Sequence, residues 1–212
     1  MPVLVEGKHT AEFLVTEGSG YISRDQVVVA SGGGILEPGT VIGAQRVADT
    51  VTVTAAPGNT GDGTVGDVTT GSKTEVGIYT LVATAATKFD VITPSGDKLK
   101  GLTVGTAYAS DHINLTVTAG GTAFVAGDTI EITVAAGNMK VGPLDLAADD
   151  GTQVAYGILY AGVDASAADV RATAITRHAE VNGADLLWPA GITAGQKAAA
   201  VAQLADRGII VR

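Results

Sequence analysis

The amino-acid sequence predicts a mainly β protein: a small β-rich core with one C-terminal helix, plus an inserted β-subdomain. Three observations carry that prediction. The chain of 212 residues holds 29 glycines alongside abundant Thr and Val, the mixture of short strands joined by tight turns. Its apolar fraction is 46% but aromatics are only 4%, so Ala, Val, Ile and Leu supply most of the core. Finally, short runs of alternating apolar and polar residues recur through the middle of the chain, the period of half-buried strands.

In chain order, residues 1–26 carry weak structural signals. Thr10 to Val15 reads as a short extended piece, and Glu17-Gly18-Ser19-Gly20 as a flexible break. Gln26 to Ala30 reads as a strand closed by Ser31-Gly32-Gly33-Gly34. Leu36-Glu37-Pro38-Gly39-Thr40 is a Pro-Gly turn, after which Val41-Ile42-Gly43 begins another strand. From residue 51 the texture becomes Thr-rich. Residues 58–64 form a turn-rich loop, and alternation marks Val76 to Val82, Phe89 to Thr93, Asn114 to Thr118 and Thr129 to Val134. After Met139 longer apolar stretches return, with strands at Val154 to Tyr160 and Ala172 to Thr176. Thr193 and Gln196 match a capping box, the Ala-rich run to Arg207 has high helix propensity, and Gly208 fits a left-handed C-terminal cap. Ile209-Ile210-Val211 runs out as a last strand. The division expected is 1–26, then a core of 27–50 and 138–212, with 51–137 inserted.

Charge and composition exclude several classes of function. The net charge is -9, with 13 basic residues scattered among 22 acidic ones, so no phosphate-tracking patch exists and neither nucleic acid nor an anionic membrane is expected as a partner. Absence of cysteine removes disulfides, thiol nucleophiles and zinc–thiolate sites together. The N-terminal MPVLVEGKHTAEF does not read as a signal peptide, and no apolar run approaches the roughly 18 residues that span a bilayer. The product is expected to fold in a reducing cytoplasm and remain there until it is assembled.

No catalytic, cofactor or metal site is expected. His9, His112 and His178 lack ligand spacing. Asn59, Asp62 and Asp67 lie in a Gly-rich loop without the ligand order of a calcium loop. Asp145, Asp149 and Asp150 beside Gly151 could be read as paired carboxylates, but Asp-Asp-Gly is also an ordinary turn. Gly32-Gly33-Gly34 precedes a turn instead of a helix and so lacks the setting for phosphate. Ser19 lacks nucleophile-elbow spacing. Trp188, in Leu186-Leu187-Trp188-Pro189, is expected as a core or subunit-interface anchor.

The C-terminal third carries a further signal. Gly151-Thr152-Gln153-Val154-Ala155-Tyr156-Gly157-Ile158-Leu159-Tyr160 is followed by Val163-Asp164-Ala165, Ala179-Glu180-Val181-Asn182 and Leu187-Trp188-Pro189-Ala190-Gly191-Ile192-Thr193. An Ala-rich helix then ends in Gly208-Ile209-Ile210-Val211-Arg212. With Glu12-Phe13-Leu14-Val15, Arg24-Asp25 and Pro38 to Gly43, this ordered series resembles the lambda-type head decoration proteins of tailed bacteriophages. The resemblance covers roughly 1–50 and 138–212, and the block between is absent from compact members. It implies a decoration-protein core, a homotrimer on the outer surface of the expanded head, the major capsid protein as partner, and stabilisation of that head. It places the protein on the virion, after assembly in the host cytoplasm. It also implies that residues 1–26 are an N-terminal capsid-binding arm.

Within that arm Thr10, Glu12, Phe13, Leu14 and Val15 have the composition to add to a sheet edge of the capsid. The arm is expected to be mobile in the free protein, and removal of residues 2–20 to leave fold and trimer intact. Leu187, Trp188, Pro189 and Leu204 are the candidates for the core beneath the trimer interface. Two other classes remain as alternatives: a carbohydrate- or receptor-binding module carried by the inserted block, whose Tyr79, Phe89, Tyr108 and Phe124 read better as core, and a tail-tube or baseplate component.

Overall fold

Strand alternation and tight turns organise a computed structural model, which describes residues 6–212. The chain divides into two units, one of Met1–Gln45 with Met139–Arg212 and one of Arg46–Asn138.

The first unit is built on a closed barrel of five short strands. In barrel order these are β12 (Val141–Pro143), β2 (Arg24–Val29), β15 (Val170–Ile175), β13 (Ala155–Leu159) and β4 (Val41–Ala44). β2 and β15 pair antiparallel over six positions, from Val29 opposite Val170 to Arg24 opposite Ile175. The ring closes through β12, which runs parallel to β2 at Val141 and antiparallel to β4. Ile42, Ile158, Leu159 and Ile175 are fully buried. Close approach requires glycine at Gly43, where a Cβ would stand 2.0 Å from the Thr152 carbonyl oxygen. The Pro38-Gly39 turn needs its glycine for another reason: Gly39 has φ +86°, a backbone state that side chains disfavour.

Beside the barrel lies a three-stranded sheet in the order β1 (Leu14–Glu17), β16 (Ala179–Val181), β17 (Ile209–Val211). β1 pairs antiparallel with β16, and β17 parallel to it. The helix α1 (Ala194–Asp206) precedes β17. Thr193 Oγ accepts from the Gln196 backbone N–H while the Gln196 side chain accepts from the Thr193 N–H, a complete capping box. Its Ala200 and Leu204 are buried, and Gly208 at φ +75° ends it as the sequence predicts. A two-residue ribbon pairs β3 (Ile35–Leu36) with β14 (Val163–Asp164).

The segment before β2 departs from expectation. The described part of the 1–26 arm is packed into its own unit. Phe13 is 1% exposed, in one cluster with Val41, Ile158, Ile175, Val181 and Leu204. Ala11 N–H donates to the Tyr160 carbonyl at 2.9 Å and Phe13 O accepts from Asn182 N–H at 2.8 Å. One buried aromatic side chain and a strand partner supply what this segment lacks by itself, and removal of residues 2–20 would take both away. Val3, Leu4 and Val5 lie outside the described residues.

The second unit has a five-stranded antiparallel sheet in the order β5 (Val47–Ala55), β11 (Thr129–Ala136), β7 (Gly77–Ala85), β8 (Lys88–Ile92), β9 (Leu102–Thr103). A second ribbon pairs β6 (Thr64–Thr70) with β10 (Ile113–Thr118). Ile132, Tyr79, Leu81 and Val91 from the sheet and Ile113, Leu115 and Val117 from the ribbon share one core. Tyr79, Phe89, Tyr108 and Phe124 are all buried, and Phe89 meets Phe124 edge to face at 4.8 Å between centroids. The turn-rich loop is held in large part by Asp128. Asp128, itself buried, accepts backbone N–H bonds from Thr60 (2.9 Å), Gly61 (2.8 Å) and Val125 (3.0 Å). Those bonds pull its pKa below the usual aspartate value.

Candidate functional site

The residues singled out for chemistry are occupied by local structure. Asp145 Oδ1 accepts from Ala147 N–H at 2.9 Å, and Asp150 Oδ1 accepts from Thr152 N–H at 2.9 Å and from its hydroxyl at 2.6 Å, bonds that make each a turn former. Asn59 bridges both the N–H and the C=O of Thr129, and Asp62 accepts from Thr122 N–H. Asp67 sits in the left-handed region at φ +52°, where Asn and Asp are tolerated best. Ser19 opens a short 3-10 turn, Ser19–Tyr21. Among the described residues no group of three His, Cys, Asp or Glu side chains could hold a metal ion. His9 and His178 are exposed. His112 faces the buried Tyr79 hydroxyl at 3.3 Å and Glu75 at 3.9 Å.

What the first unit offers instead is surface. β1 is an edge strand of its sheet, paired on one side to β16. Of the five arm candidates, Phe13 is core and Leu14 is half-buried against the same cluster, while Thr10, Glu12 and Val15 are exposed. Val15 is 56% exposed, at a bulge between Leu14 and Thr16 that breaks the register with β16. Just beyond, Tyr21 and Ile22 are 71% and 50% exposed. Arg24 is fixed between them and the barrel: it donates to both Glu17 oxygens at 2.8 and 2.6 Å and lies over the rings of Tyr160 (4.4 Å) and Tyr21 (5.1 Å). The Glu17 hydrogen bond raises the guanidinium pKa further. Val15, Tyr21 and Ile22 thus form an exposed apolar fringe, with Arg24 lying over the Tyr21 ring. Sequence reading missed Tyr21 and Ile22, which lie in a stretch with no strand or helix period to show which way a side chain faces.

The four interface candidates separate. Leu204 is fully buried, so it supports the fold and touches no partner. Leu187 pairs through its backbone, accepting from Val41 N–H at 3.0 Å and donating to Gly39 O at 2.9 Å. Trp188 and Pro189 are half-buried. Both line a cavity of about 90 Å³ with Thr40, Val41, Pro143, Leu144 and Leu187. The Lys197 ammonium stands 5.3 Å from the centre of the indole.

The sequence profile of the bacteriophage lambda head decoration protein D family matches residues 3–209. The chain belongs to that family, so it is a structural protein that decorates the phage capsid and is part of the virion. No curated protein is significantly similar to it in sequence. Two crystal forms of Xanthomonas campestris FlgL align with it at 18% and 22% identity, each with a TM-score of 0.34, over 48% and 47% of this chain. The chain spans about a third of the length of FlgL, 33% in both cases, and the likeness carries no argument. Among the described residues no helix is long and apolar enough to cross a membrane.

Proposed function

We propose that the protein binds the outer surface of the expanded head as a homotrimer, contacts the major capsid protein, and stabilises the shell without catalysing a reaction. The observation that carries this reading is the family match across nearly the whole chain. The exposed fringe of Val15, Tyr21 and Ile22 beside the open edge of β1 supports it, because an edge strand with apolar neighbours suits strand addition. The N-terminal arm forms the capsid contact through Thr10, Glu12 and Val15, while Phe13 and Leu14 anchor that contact to the barrel. Trp188, Pro189 and Leu187 lie at or beneath the contact between subunits. The barrel unit together with its N-terminal segment carries the binding, and 51–137 is a passenger with respect to it.

The test uses expanded heads stripped of decoration protein, with binding read by cosedimentation. Val15→Asp and Ile22→Asp place charge in the fringe on exposed positions and leave the fold intact by circular dichroism. Together they should lower head occupancy at least tenfold. Truncation of residues 2–7 should do the same without altering the oligomer. Undiminished occupancy in both cases would overturn the assignment of the contact.

A further inference from the structure

The outer strand of the inserted unit presents a second edge, and its chemistry differs from that of β1. β5 pairs with β11 on one side only, and among the described residues nothing pairs with its other side. Ala56 N–H donates to Thr129 O at 2.9 Å. In an antiparallel ladder such pairs alternate with pairs that turn away. Thr52 and Thr54 therefore bond to β11, whereas Val51, Val53 and Ala55 point their N–H and C=O groups outward.

The same outward-bonding residues have side chains on the inner face. Val53 lies opposite Ile132 and Ala55 opposite Ile130, both core residues. Yet Val53 is 37% exposed. The core is open here: Val53, Ala55 and Ile130 line a cleft of about 270 Å³ with Gly63, Thr64 and Val65. Unpaired backbone and uncovered core thus coincide at one seam.

Proteins guard such edges with lysine, proline, inward charge or a bulge. Residues 51–55 contain none of the three residue types, and no ionisable side chain occurs from 51 to 61. The register shift in this strand lies further back, between Val51 and Val47. In a chain of net charge -9, the uncharged stretch of this edge from residue 51 onward, beyond Asp49, is where two copies approach with least repulsion. The strand is also self-complementary: an antiparallel pairing centred on Val53 sets Val53 opposite its own copy and Val51 opposite Ala55, all outward-bonding positions. We propose that β5 pairs with β5 of a second copy of this chain, joining two five-stranded sheets and closing both clefts. A two-fold pairing of this kind links one decoration assembly to a neighbouring one. It is independent of the head-binding reading, which concerns the other unit.

The absence of cysteine permits a clean test on the full chain. Paired residues of this type stand about 5.5 Å apart at Cα, inside the disulfide range. Val53→Cys should be converted mostly to covalent dimer under mild oxidation, at least tenfold faster than Ile78→Cys, which is comparably exposed at 46% but lies away from the edge. A second pair of variants tests the same register without crosslinking. Val53→Lys and Val53→Glu, each confirmed folded by circular dichroism, should each sediment at half the mass of the unsubstituted protein, and an equimolar mixture should regain it. Equal crosslinking at 53 and 78, or variants that sediment like the unsubstituted protein, would overturn the proposal.

Discussion

The two units bury their cores by different routes. The inserted unit uses long strands: β5 and β7 have nine residues each and β11 eight. In β11 buried Ile130, Ile132 and Val134 alternate with outward Glu131, Thr133 and Ala135. Its core takes the aromatics Tyr79, Phe89, Tyr108 and Phe124. The other unit closes a barrel from strands of three to six residues, with aliphatic side chains inside and Phe13 brought in from the turn before β1. One unit rests on local pattern, and the other on closures between residues more than a hundred apart, such as Val29 beside Val141 and Gly18 bonded to His178. The lesson is that stability in the barrel unit depends on segments that look dispensable in sequence.

That contrast is open to attack at single side chains. Phe13→Ala should destabilise the barrel unit by about 3–5 kcal/mol, as for other fully buried aromatics, and Phe89→Ala should do the same to the inserted unit. Differential scanning calorimetry should show each substitution lowering one transition and leaving the other in place. If both lower a single common transition equally, the units are not separate in folding. Trp188→Ala should cost less, about 1–3 kcal/mol, because the indole is only half-buried. Urea unfolding of the barrel unit measures it.

The smallest effect is a pH dependence. Asp128 has its pKa lowered on folding by three backbone N–H bonds. Its contribution is therefore present above the unfolded aspartate value, about 3.9, and is lost as pH falls through the lower folded value. Asp128→Asn should flatten the acid side of the stability curve of the inserted unit and leave that of the barrel unit unchanged.

Legibility in the sequence follows the same division. Val76 to Val82, Phe89 to Thr93 and Thr129 to Val134 are visible as strands because alternation is a local signal, and each is found within three residues of its predicted bounds. The helix and its caps at Thr193 and Gly208 are equally local. β6 and β12 are not visible: β6 is broken by Gly66 and a left-handed Asp67, and β12 is three residues ending in proline. Burial of Phe13 is a tertiary fact, set by a pocket whose walls come from β4, β13, β15, β16 and α1. The family was legible, through the motif series around Trp188, but the details of the surface were not. Exposure of Tyr21 and Ile22 depends on packing that no spacing rule encodes.

The central claim is that the barrel unit binds the phage head and that the inserted unit is not needed for binding. Cryo-electron microscopy of expanded heads incubated with the full protein, and with a variant in which residues 46–138 are replaced by a short Gly/Ser linker, tests it most directly. Loop-closure entropy grows slowly with length, so the shortened chain should fold. Both proteins should place density at the same head positions with equal occupancy, and the full protein alone should show added density for the inserted unit. Heads left bare by the folded, shortened protein would contradict the account.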